Sequence, residues 1–108
     1  MAFLIYSTWP DHETATKAAQ TLLKQGLISC ANICTPGTSI YAWQGEITTE
    51  SEVQMWLKTG ATNIDALRAA VITAHPFEVP AFIAFTIDLT QSHAPFMQWL
   101  AQTSGKIT

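Results

Sequence analysis

An α+β fold follows from the order of the periodic segments in this sequence: strand, helix, two strands, helix, strand, helix. Three observations carry it. Two helical stretches each lie between strand-like runs; a Gln44-Gly45 turn joins the two longest strand-like runs; and a third helical stretch follows the last strand. Together they predict a ferredoxin-like β-α-β-β-α-β sandwich with an extra C-terminal helix, both inner helices covering one sheet face and leaving the other open. The 108 residues are read as one domain spanning 1–108.

Residues 2–8 are short, apolar and aromatic-rich, as a buried strand is. Asp11 is placed to cap the helix that follows. In that helix Ala15, Ala18, Ala19, Leu22 and Leu23 recur at helical spacing, and Gly26 ends it by taking a left-handed conformation. Residues 28–43 favour strand but are interrupted by Thr35-Pro36-Gly37, which reads as a bend or bulge. The strand near 46–59 alternates Val53, Met55 and Leu57 with Gln54, Trp56 and Lys58, and its short glycine turn implies an antiparallel hairpin. Thr62 and Asp65 resemble a capping box ahead of the second helix, whose stripe is Ile64, Leu67, Val71 and Ala74. Residues 81–89 read as strand. Ser92 starts a last helix with Phe96, Trp99 and Leu100 facing inward, and residues 103–108 read as a frayed end.

Composition narrows the function. Charged residues are 12% of the chain, about half the usual ~25%, and four tryptophans add apolar bulk. With so little charge to cover its surface, and with Trp56 on the open sheet face, the chain is expected to self-associate. Its five basic residues are scattered and the formal charge is −3, which argues against nucleic acid as a partner. The first residues carry no basic region, and no run approaches the ~20 apolar residues of a membrane span, so a cytoplasmic protein without a membrane partner is expected. Cys30 and Cys34 on one strand would lie ~13 Å apart, too far for a disulfide, and are read as reduced thiols.

Between the second helix and the following strand runs His75-Pro76-Phe77-Glu78-Val79-Pro80. Its prolines fix their own φ and disfavour helix in the preceding residues, so the segment is a stiff extended connector. With Cys30-Ala31-Asn32, Ser39-Ile40-Tyr41-Ala42-Trp43-Gln44-Gly45, Glu50 with Glu52, and Lys58-Thr59, it resembles the CutA family of divalent-cation tolerance proteins over roughly residues 2 to 103. Pro10-Asp11 and Trp99-Leu100 fit the same pattern. That resemblance implies a tight homotrimer formed through the long strands, and a link to tolerance of copper or another divalent cation. Phe77, where tyrosine is common, and Ser7, where some relatives carry cysteine or threonine, depart from the pattern.

Each candidate residue has two readings. His75, Glu78 and Cys30 are candidate metal ligands, since imidazole, carboxylate and thiolate are the donors a divalent ion takes. Against this, His75 and Glu78 suit local hydrogen bonding or a subunit boundary. Tyr41 and Trp43 share a strand face and, with Lys58, form a candidate wall for a small ligand; packing is their alternative role. Glu46, Glu50 and Glu52 share a face that suits a hard cation, or a solvated edge that discourages wrong pairing. A local catalytic motif such as Gly-x-Ser-x-Gly is missing, and a non-enzymatic protein is expected. Two functional readings result: a trimer binding divalent metal between subunits, or a signalling or adaptor trimer similar in architecture to the PII regulators, holding a small ligand in the same cleft.

Overall fold

A computed structural model describes residues 1–60 and 64–103. The elements are β1 (Phe3–Trp9), α1 (His12–Lys24), β2 (Cys30–Ile33), β3 (Gly37–Trp43), β4 (Glu46–Thr59), α2 (Ile64–Ala74), β5 (Phe82–Thr86) and α3 (Ala94–Thr103). All strand pairings are antiparallel, in the order β2-β4-β1-β5, with β3 paired to the other half of β4. The expected α+β order with a third helix is therefore present. Thr62 of the expected capping pair, and 104–108 of the expected frayed end, lie outside the described residues.

Local chemistry sets the boundaries. Asp11 caps α1 by accepting from the Thr14 amide at 2.7 Å. Gly26 closes the helix at φ 72°. Gln44 and Gly45 take φ of 51° and 81°, the paired positive values that a two-residue hairpin turn requires. The expected bend falls at 34–36, with Gly37 already in β3, and it splits the run into two strands, β2 and β3, where one interrupted strand was expected. β5 is shorter than the 81–89 expected, because the Asp88 carboxylate accepts from the Thr90 and Gln91 amides and turns the chain. For the same reason α3 begins at Ala94 and not at Ser92, whose hydroxyl donates back to the Asp88 carbonyl.

One sheet face is covered. Ile5, Trp9, Val53, Met55 and Leu57 pack against Ala15, Ala18, Ala19 and Leu22 of α1 and Leu67 and Val71 of α2, forming the core. Side chains alternate along a strand, so the opposite face presents Leu4, Tyr6, Trp56, Lys58, Ile83 and Phe85. Tyr6 meets Trp56 edge-on at 5.1 Å, and Trp56 lies 6.3 Å from Phe85.

α3 differs from expectation. Leu100 is buried, but Phe96 and Trp99 are 40% and 41% exposed. The helix docks by backbone: Ser29 donates to the Leu100 carbonyl at 2.8 Å, and Gly60 lies so close that an added Cβ would stand 2.8 Å from the Ala101 Cα. That contact turns Leu100 in and leaves the two aromatic rings outside.

β4 is long enough to leave the sheet. Its fourteen residues at ~3.3 Å each account for ~46 Å, matching the molecule's longest dimension of 45 Å. Its first half pairs only with β3, making a two-stranded arm in which Ile40, Trp43 and Ile47 are exposed. Among the described residues no helix is long and apolar enough to cross a membrane.

Candidate functional site

The connector after α2 is built around His75, which is buried. Its Nδ1 accepts from the Phe77 amide at 3.1 Å, which fixes that nitrogen as unprotonated. The remaining proton is then on Nε2, which donates to the Thr8 carbonyl at 2.7 Å. The ring stacks on Trp9 at 4.3 Å and on Phe77 at 4.8 Å. Both nitrogens thus tie the connector to the end of β1. Glu78, three residues on, is exposed.

Cys30 lies elsewhere. It is in register with Lys58, which is in register with Leu4 on β1. Leu4 and Thr8 are four residues apart, ~13 Å along the strand. Cys30 shares the open face with Lys58, whereas His75 packs on Trp9, on the helix-covered face. One chain therefore does not bring Cys30 to His75 and Glu78. Among the described residues, no group of three or more His, Cys, Asp or Glu side chains is placed to hold a metal ion. Both cysteines are free thiols. Burial raises the Cys30 pKa, with Lys58 opposing in part, so the thiol stays protonated at neutral pH.

Tyr41 and Trp43 do share a face, as expected, and so do Glu46, Glu50 and Glu52. Register adds that these are the same face of the arm: Trp43 pairs with Glu46, Tyr41 with Thr48 and Ser39 with Glu50. Ser39 donates to Glu52 at 3.0 Å. Reduced hydration raises the Tyr41 pKa, and the Glu50 hydrogen bond and the charges of Glu50 and Glu52 add to the shift. Continuing the alternation along β4 puts Lys58 on the same side. Its ammonium sits 5.7 Å from the Phe96 ring.

Two contributors escaped sequence reasoning. Ser7 accepts from the Trp9 indole at 2.9 Å and donates to the Met55 carbonyl at 2.9 Å, a buried polar chain beneath the His75 corner. Its signal was a small hydroxyl residue two positions from a tryptophan on one strand and so on the same face. Phe96 as a partner of Lys58 had no signal, because its periodicity pointed inward.

Comparison with known proteins places this geometry. Residues 3–103 match the family described as CutA1 divalent ion tolerance protein. The divalent-cation tolerance protein CutA of Pyrococcus horikoshii is 36% identical over 103 residues, covering 95% of this chain and 98% of that protein. Protein CutA of Homo sapiens is 33% identical over 103 residues, and there the match spans 95% of this chain but only 56% of the human protein. The crystal structure of CutA1 from Shewanella sp. SIB1 superposes with a TM-score of 0.90 at 36% identity, covering 97% of this chain and 96% of that one.

Proposed function

The chain belongs to the CutA1 divalent ion tolerance family, and on that premise we propose that it acts as a non-enzymatic homotrimer binding copper or another divalent cation at clefts between subunits. The observation that carries this reading is the distribution of donors and of apolar surface. Glu78, Cys30 and the arm carboxylates lie at separate places on one chain, while the open face and the arm expose large apolar side chains. Association would cover those side chains and draw donors from different copies together. Glu78 is free to coordinate as it stands. His75 joins only if it gives up the Phe77 amide, exchanging an internal hydrogen bond for the ion.

Titration of the protein with copper(II), followed by calorimetry and tryptophan quenching, tests this. Saturation at a fixed ratio is expected, with weaker binding in His75→Ala if the imidazole is a ligand. Unchanged saturable binding in that variant removes His75 from the site, and absence of specific binding sinks the metal reading.

A second reading is favoured by Tyr41 and Trp43, which stand exposed on one face of the arm with Lys58 further along the same side. They suit an aromatic or anionic small ligand in the same cleft, and so an adaptor role. A small molecule that co-purifies and is retained in chelator would favour it. The cytoplasm is the proposed location, in keeping with two free thiols; cell fractionation tests that.

A further inference from the structure

The arm is a two-stranded ribbon with no core of its own, and such ribbons are marginal in water. One of its faces carries the rings of Tyr41 and Trp43 and the carboxylates of Glu46, Glu50 and Glu52. No Lys or Arg lies on either strand of the arm. Like charges at alternate positions of one strand repel at the ~7 Å spacing of same-face neighbours. The face therefore favours a cationic occupant, and two aromatic rings add cation–π attraction for it.

The chain carries such a group. Among the described residues the ion pairs are Lys17–Glu13 and Arg68–Asp65; Lys58 is in neither, and its ammonium lies 5.7 Å from the Phe96 ring, with the Cys30 thiol as its cross-strand neighbour. It is half-buried on the open apolar face, where an unpaired charge would be costly once a second copy covered it. Lys58 cannot reach the arm of its own chain. Glu50 is eight residues away on the same extended strand, ~26 Å, beyond the combined reach of two side chains.

We propose that Lys58 of one copy seats on the acidic and aromatic arm face of a second copy, against Glu50 and the rings of Tyr41 and Trp43. This rests on the self-assembly proposed above and specifies its polarity: arm of one chain to open face of the next. It relieves two problems at once. The arm gains the cation it lacks, and Lys58 gains a carboxylate before its face is closed off from water.

A double-mutant cycle read by sedimentation velocity tests it, with circular dichroism as a control for folding. Glu50→Lys and Lys58→Glu alone are each expected to weaken association about tenfold or more, roughly 1.4 kcal/mol. The chain carrying both is expected to recover most of the loss. Since the two positions are too far apart to pair within one chain, recovery reports a contact between copies. Losses that simply add in the double variant overturn the latch. So does a silent Lys58→Glu beside a disruptive Glu50→Lys, which would assign the arm to a different cationic partner. Should either reversal unfold the chain, Glu50→Gln and Lys58→Met run the same cycle, and additivity again overturns the proposal. A wild-type protein that sediments as a monomer sinks the assembly reading itself, whereas an oligomer with additive losses sinks only the latch.

Discussion

His75 shows how a residue legible as important in sequence takes its role from neighbours that sequence does not display. Its position ahead of two prolines four apart marked a stiff extended connector; the connector is there, but it is bent over 76–79 instead of extended, closed by the Phe77 amide donating to the His75 ring. What could not be read was Thr8, 67 residues away, whose carbonyl takes the Nε2 proton, or Trp9, on which the ring stacks. His75→Ala removes both hydrogen bonds and leaves the Thr8 carbonyl without its partner. It is expected to cost about 2–3 kcal/mol in urea unfolding and to change the emission of Trp9. The carboxylates give a second residue-scale expectation. Amide and hydroxyl donors at Thr14 hold Asp11 below its ordinary 3.8, and donors at Thr90 and Gln91 do the same for Asp88. A lowered folded pKa stabilises the fold fully above 3.8 and is lost as pH falls through the lowered values. Asp11→Asn with Asp88→Asn should therefore flatten the acid limb of a stability-against-pH curve below 3.8 and leave its slope near neutrality unchanged. An unaltered acid limb would show that other groups drive acid unfolding.

Among the elements, legibility depended on whether a segment's partner was implied by its own period. α1 and the inner half of β4 bury the stripe their sequence announces, because the largest apolar surface they can meet is each other. α3 carried a stripe too, but a backbone contact at Gly60 decides which side it buries. Gly60 has no side chain, so nothing in the periodicity of 94–103 anticipates it. Gly60→Ala would press a methyl to 2.8 Å from the Ala101 Cα and 2.9 Å from the Leu100 carbonyl, both backbone atoms unable to yield. The expected cost is about 1–3 kcal/mol, with weakened amide-exchange protection confined first to α3. Gly37→Ala, with open space at its Cβ, should stay within about 0.5 kcal/mol. Equal costs at both positions would show that glycine flexibility, not close approach, governs Gly60.

At the scale of the molecule, the two sheet faces divide the sequence between a helix-covered core and an apolar surface left open. Helices cover the face of Ile5, Trp9, Val53, Met55 and Leu57, and that packing holds the chain together. The other face contributes nothing to that core, yet on it Trp56 lies beside both the Tyr6 and the Phe85 rings, with Ile83 and Phe85 half exposed. The low charge of the sequence and Trp56 fit this second surface, which a monomer would leave in water at ~25 cal/mol per Å² of apolar area. The consequence is a separation of effects. Phe85→Asp, on the open face at a sheet edge, should leave the helical circular dichroism of the isolated chain intact while shifting light scattering toward the mass of one chain. Leu57→Asp, on the helix-covered face of β4, should abolish folding itself. If Phe85→Asp scatters at the wild-type mass, the open face is not the surface on which copies meet. Association would then have to run through other surface, foremost the arm, whose exposed Ile40, Tyr41, Trp43 and Ile47 are the other large apolar side chains on the strands.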